Sequence, residues 1–173
     1  INQALKYHSE GNIVEAEKYY KQLIDKNILD PIILSNYGVI CKQTGRIEKA
    51  IELYRKSIKL YPTSANAYIN LGKALKITGN LKESQLITLE AIKLNPNSIE
   101  AYYNLAEISL IYGELEKAEL WARNTIEIQP NYINGYQKLG EILNKRGKFK
   151  ESADQLKKVI EINPNQAEAH YNL

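Results

Sequence analysis

Methionine is absent from the 173 residues, and cysteine, tryptophan and phenylalanine each occur once. A single thiol, Cys41, excludes an intrachain disulfide framework and a zinc site built from cysteines. The two histidines, His8 and His170, stand near opposite ends of the chain, which argues against a histidine-rich metal centre. No uncharged run reaches the ~20 residues needed to span a bilayer, and no secretory pattern opens the chain. Neither sign of charge dominates. The 23 basic and 20 acidic residues leave a net +3, too little to predict nucleic acid or an anionic membrane as partner. With 44% hydrophobic and 25% charged residues, wholesale disorder is not expected either. These absences predict a cytoplasmic chain without cofactor, metal or membrane insertion.

What is present is a period. Gly11, Gly45, Gly79, Gly113 and Gly147 stand 34 residues apart, and Pro62, Pro96, Pro130 and Pro164 keep the same spacing. So do Gly38, Gly72, Ala106 and Gly140, with Ala4 one period earlier. A fourth column runs Ala16, Ala50, Ser84, Ala118, Ser152. Four columns sharing one period identify a repeat protein.

Each period reads helix, turn, helix. Tyr68, Leu71, Leu75 and Ile77 fall at helical spacing. Gly79 supplies a left-handed position that closes this helix. Leu81, Leu86, Leu89 and Ile92 form a second amphipathic stripe, which Asn95-Pro96 stops, because the residue before proline disfavours the α region. The predicted pairs are 1–10 with 13–27, 32–44 with 47–60, 65–78 with 81–94, 99–112 with 115–128, and 133–146 with 149–162. A partial helix is predicted from Ala167 to Leu173. The first unit differs: Ile28 stands where proline stands later, so its break is predicted at Asp30-Pro31, with Asp30 capping the next helix. The small columns at Gly72 and Ser84 predict close backbone approach. One helix pair buries too little apolar surface to fold alone, so neighbouring pairs must stack.

The unit resembles the tetratricopeptide repeat (TPR). With Ala65 as position 1, the third unit supplies Tyr68, Leu71, Gly72, Gly79, Ser84, Ala91 and Pro96 at the family's characteristic positions, with Thr88 in place of an aromatic. The fourth supplies Tyr102, Leu105, Ala106, Gly113, Ala118 and Pro130, and the fifth Tyr136, Leu139, Gly140, Gly147 and Pro164. The second supplies Gly38, Gly45, Ala50, Tyr54 and Pro62. The resemblance implies an all-α fold, an α-α superhelix of antiparallel helix pairs whose first helices line a concave groove. It also implies a non-catalytic module that binds a protein or peptide. The expected organisation is a single TPR array over 1–173, with units near 1–30, 31–64, 65–98, 99–132 and 133–166 and a partial unit at 167–173. Ile1 and Leu173 both fall within repeats, so the chain is expected to be a piece of a longer protein.

In the family the groove is lined from positions 2, 5, 6, 9, 12 and 13 of each first helix. Position 6 here reads Asn2, Asn36, Asn70, Asn104, Lys138 and Asn172. An asparagine amide carries an acceptor and two donors, matching one peptide unit of an extended chain. The column resembles the asparagine ladder in the TPR region of O-GlcNAc transferase, with Lys138 as an interruption. Asparagine satisfying a neighbouring backbone group is the alternative. Side-chain pockets would come from Lys73 and Lys76, then Glu107 and Glu141. Residues 31–64 carry six basic and two acidic groups, residues 99–132 two basic and six acidic, which suits a partner of matching polarity. Positions 5 and 9 read Ser35 and Val39, Ile69 and Lys73, Tyr103 and Glu107, Gln137 and Glu141. That set argues against the clamp by which TPR co-chaperones grip a C-terminal carboxylate.

The remaining reactive or aromatic residues have structural readings. Cys41 is expected to be a buried thiol, His8 a polar contact, and His170 and Trp121 packing residues. The cluster Lys145, Arg146, Lys148, Lys150 reads as a solvated turn, since no Walker spacing accompanies its glycine. No catalytic or metal-binding constellation stands out. The leading functional reading is therefore a scaffold that receives an extended peptide or partner helix. A second is the substrate-recruiting region of a larger enzyme such as a glycosyltransferase. A third is self-association through uncapped terminal helices.

Overall fold

A computed structural model describes residues 1–163, and the expected partial helix at 167–173, with His170 and Asn172, lies outside them. The described residues form ten α-helices and no strand: α1 (Asn2–Ser9), α2 (Ile13–Asp25), α3 (Pro31–Gln43), α4 (Ile47–Leu60), α5 (Ala65–Ile77), α6 (Leu81–Leu94), α7 (Ile99–Ile111), α8 (Leu115–Ile128), α9 (Ile133–Lys145) and α10 (Phe149–Ile162). They belong to two compact units, Ile1–Leu94 and Asn95–Leu173. In the first, α1 packs on α2, α3 on α4 and α5 on α6, while α2 meets α3, α4 meets α5 and α3 touches α5. In the second, α7 packs on α8 and α9 on α10, with α8 against α9 and α7 against α9.

The helix ends follow from the periodic glycines and prolines. At the end of α5, Gly79 takes φ +80°. Its N–H donates to the Lys76 carbonyl at 3.1 Å, and the Asn80 N–H donates to Leu75 at 2.9 Å. This crossed pair satisfies two carbonyls that a helix end otherwise leaves open. The glycines at 11, 45, 113 and 147 repeat it, with φ between +73° and +78°. Second helices end differently: Tyr61 and Gln129 precede prolines and take φ near −134° and −133°, off the helical region.

The first unit corrects one expectation. Asp30 does cap α3, its carboxylate accepting the Ile32 N–H at 2.7 Å. But α2 stops earlier than predicted, at Asp25, because Asn27 adopts φ +57°. Its N–H reaches the Ile24 carbonyl and that of Ile28 reaches Leu23, both at 2.9 Å. Asparagine tolerates the left-handed region better than most residues, so it does here what glycine does elsewhere.

Two cores result. The first gathers Ile33, Leu34, Ile40, Cys41, Tyr54, Leu71 and Leu75. The second gathers Ala106, Ala118, Ala122, Leu139, Ile142 and Leu143. The small columns join the helices of a pair, and their serines do more than save space. Ser84 Oγ donates to the Gly72 carbonyl at 2.6 Å, and Ser152 Oγ to Gly140 at 2.7 Å. Tyr54 is fully buried against Gly38, yet its hydroxyl finds no hydrogen-bond partner among the described residues. Burying an unsatisfied hydroxyl costs about 1–3 kcal/mol, so Tyr54→Phe is expected to stabilise the first unit by about 1 kcal/mol. Urea denaturation followed by circular dichroism reads the gain; a loss of stability would show that the hydroxyl is satisfied.

Candidate functional site

The residues singled out as a groove sit on first helices, and in each unit those helices are neighbours: α3 with α5, α7 with α9. On α3 and α5, Asn36 and Asn70 are half-buried, as are Lys73 and Lys76 one turn apart. Asn36 is committed in part to the fold. Burial pushes the Tyr20 phenol up, and a hydrogen bond with the Asn36 side chain draws it partly back. Tyr20, wholly buried on α2, also meets His8 Nδ1 at 3.2 Å. Burial lowers the His8 pKa, and the Tyr20 hydroxyl is the polar contact the imidazole makes.

On α7 the column changes character. Asn104 is 1% exposed, so its amide lies inside the packing and does not face a surface on which a peptide could lie. The expected row of open amides is therefore not uniform: Asn2 is exposed, Asn36 and Asn70 are half-buried, and Asn104 is inside.

The charged groove residues of α7 and α9 do converge. Lys138 Nζ donates to Glu141 Oε2 at 2.7 Å and lies 3.9 Å from Glu107 Oε1. The same ammonium stands 5.9 Å from the centre of the Tyr103 ring. Tyr132 meets Tyr103 edge to face, with centroids 5.9 Å apart. Burial, followed by the charges of Glu107 and Glu141 and the nearby Tyr132, pushes the Tyr103 phenol up to about 12. Neither tyrosine stood out in the sequence as part of a site. The available signal was that Tyr103 occupies position 5, one turn before Glu107.

A second charged cluster corrects the reading of the Gly147 turn. Arg146 and Lys148 are not simply solvated. Both donate to Glu119, Lys148 at 3.3 Å, and Arg146 also donates to Glu116 at 2.9 Å. Arg123 completes the shell around Glu119 with bonds of 2.9 and 2.7 Å. Glu119 itself is only 7% exposed. Burial alone would raise its pKa, but the hydrogen bonds from Arg123, Arg146 and Lys148 outweigh that and lower it. The first unit carries the counterpart, Arg46 gripping Glu17 with bonds of 2.6 and 2.7 Å. In both places a basic residue stands 29 positions after the glutamate, a spacing visible in the sequence once sought.

Trp121 packs on Tyr102, centroids 5.9 Å apart, as expected of a packing residue. A cleft of about 330 Å³ is lined by Pro96, Asn97, Tyr102, Asn124, Glu127 and Ile128, none of them among the expected groove residues. Among the described residues no three histidine, cysteine, aspartate or glutamate side chains gather as metal ligands. No described helix is long and apolar enough to cross a membrane.

Comparison with known proteins follows the repeat. The family profile "TPR repeat" matches residues 38–79 and 140–173, and two "Tetratricopeptide repeat" profiles match 65–98 and 88–119. Among curated proteins, the uncharacterized protein YgeG of Escherichia coli (strain K12) is 32% identical over 59 residues. That match covers 34% of this chain and only 36% of YgeG. Among solved structures, MamA superposes with a TM-score of 0.81 at 28% identity, covering 95% of this chain and 96% of that one. YrrB, a TPR protein with an unusual peptide-binding site, superposes at 0.74 and 22% identity, covering 91% and 81%, and so bears on the fold alone. Helix pairs repeating every 34 residues, with family profiles over more than half of the length, place this chain in the tetratricopeptide repeat family.

Proposed function

We propose that this protein is an interaction scaffold that holds an extended peptide segment against the faces of neighbouring first helices. The observation that carries the reading is that groove-position residues stand on neighbouring first helices, Asn36 on α3 and Asn70 on α5, and that Glu107, Lys138 and Glu141 converge between α7 and α9. YrrB supports it to the extent that the same fold carries a peptide-binding site there. Asparagine amides offer backbone contacts that do not depend on the guest's side chains, each contributing about 0.5–1.5 kcal/mol net. Ordering an extended guest costs roughly 1–2 kcal/mol per residue, so amide contacts alone give weak binding. Affinity and selectivity must then come from side-chain contacts such as those around Lys138.

Asn70 is the cleaner probe, since Asn36 also serves Tyr20. Nine-residue peptides selected from a phage-displayed library are expected to shift amide resonances of α3 and α5 or of α7 and α9. For peptides bound at α3 and α5, Asn70→Ala is expected to lower affinity about two- to tenfold. Unchanged affinity, or resonance shifts confined to second helices, would remove the amide-lined face from the account.

A further inference from the structure

The cleft formed by the 95–98 turn with α7 and α8 lies off the groove positions, and its chemistry belongs to one repeat. Thirty-four residues either side of Asn124 and Glu127 stand Glu90 and Lys93 on α6, and Lys158 and Glu161 on α10. In each of those helices the two positions bond to each other: Lys93 Nζ donates to Glu90 and Lys158 Nζ to Glu161, both at 2.6 Å. On α8 the pair has no lysine. The Glu127 carboxylate makes no hydrogen bond or ion pair among the described residues, and neither do the side-chain amides of Asn124 and Asn97. The tyrosine departs from the pattern as well. In the fifth unit Tyr136 closes onto its proline turn, its hydroxyl donating to the Pro130 carbonyl at 3.0 Å. Its counterpart Tyr102 lies against Trp121, the one tryptophan of the chain, and its hydroxyl has no partner among the described residues. The fourth unit thus lacks both contacts that tie these positions together in the fifth, and there the cleft of about 330 Å³ is found.

That volume is at the small end of the ~300–1,000 Å³ of ligand sites, room for one long side chain and not for a peptide segment. Its wall offers an exposed carboxylate, two amide oxygens from opposite sides and a half-buried phenol ring. An anion would meet the charge of Glu127, and a neutral guest would leave that charge without a counterion. A guanidinium carries a planar fan of N–H donors that carboxylate and amide oxygens can share, and its flat face stacks on aromatic rings. We propose that this cleft seats an arginine side chain of a partner protein, with Glu127 taking the charge, Asn97 and Asn124 accepting the outer N–H groups and Tyr102 flanking the plane. The seat adds a contact beyond the first-helix face and does not rest on it. Exposed ion pairs contribute little individually, so the seat provides selectivity and not tight binding.

The probes are nine-residue glycine–serine peptides with one central arginine or citrulline, the latter keeping the shape of arginine without its charge. In titrations of the isotope-labelled chain, the arginine peptide is expected to shift the side-chain amide resonances of Asn97 and Asn124. It should bind about three- to tenfold more tightly than the citrulline peptide. Glu127→Gln is expected to bring the two peptides to equal affinity. Asn124→Lys, which supplies the lysine that α10 has in Lys158, should do the same by pairing with Glu127 from within. Circular dichroism checks that both surface variants are folded. No binding of the arginine peptide, equal binding of the two peptides by the wild type, a preference that survives Glu127→Gln, or shifts that spare Asn97 and Asn124 would each overturn the seat. The first-helix face is read separately, from the resonances of α3, α5 and α9, so its failure and that of the seat are distinguishable.

Discussion

Gly38→Ala is expected to destabilise the unit Ile1–Leu94 by about 1–3 kcal/mol and Tyr54→Ala by about 3–5 kcal/mol, yet the double variant should cost clearly less than the two combined. A β-carbon on Gly38 would come within 2.8 Å of Tyr54 Cζ, far inside van der Waals contact. The ring is fully buried within the first core and cannot move without displacing other core side chains. Removing the ring instead leaves a cavity in a core packed to crystal-like density. Making both changes lets the new methyl occupy part of that space. The chain already contains the outcome: sixteen residues separate Gly38 from Tyr54, and the same spacing joins Ala106 to Ala122, both fully buried in the other unit. Gly140 gives the graded case. Its β-carbon would meet Leu156 Cδ2 at 3.3 Å, a tight contact that a flexible leucine can relieve, so Gly140→Ala should cost less than Gly38→Ala. Amide hydrogen exchange in α3 and α4, compared with α9 and α10, reads each effect in its own unit. Equal costs at Gly38 and Gly140, or strict additivity in the cycle, would show that the aromatic contact does not set the helix separation.

Much of this is legible in the sequence. The period follows from glycine and proline, residues whose backbone restrictions are local and therefore visible in one dimension. Gly79 illustrates it: the turn needs positive φ, and the sequence shows the residue that allows it. Asn27 shows where that reasoning weakens. Asparagine reaches the same conformation, but it occurs in so many other settings that the sequence marks Pro31 more clearly as the stop. The site was less legible because it depends on which way each side chain faces. Asn104 shares its column with Asn36 and Asn70 but not their exposure, and no periodicity distinguishes a buried amide from a half-buried one. The convergence of Glu107, Lys138 and Glu141 was accessible through repeat register; the rings of Tyr103 and Tyr132 beside them were not, since tyrosine is abundant in this chain. The basic residues at Gly147 misled for a related reason. A charge cluster in a turn looks solvated until its partner, 27 to 29 residues earlier, is found beneath it.

That partner carries the other large effect: Glu119→Gln is expected to cost about 1–3 kcal/mol, the price of leaving cations around a site that no longer compensates them. Glu119 is 7% exposed and accepts from Arg123, Arg146 and Lys148, two of which come from the next helix pair. A glutamine there keeps the shape but loses the charge. Glu17→Gln should cost less, about 0.5–1.5 kcal/mol, because its partner Arg46 is 39% exposed and solvent screens the pair. Acid should reproduce both losses in the wild type. The Arg46 hydrogen bonds hold Glu17 near pKa 2, below the ordinary 4.5, and Glu119 is lowered in the same direction. A carboxylate depressed by folding stabilises the folded state fully above its unfolded pKa. That contribution disappears as pH falls through the folded value. For Glu17 the window runs from about 4.5 down to about 2. The stability difference between wild type and Glu17→Gln, measured by urea denaturation across that range, should be constant above pH 5 and close steadily below it. A difference that persists unchanged to pH 2 would show that Glu17 stabilises by packing and not by charge.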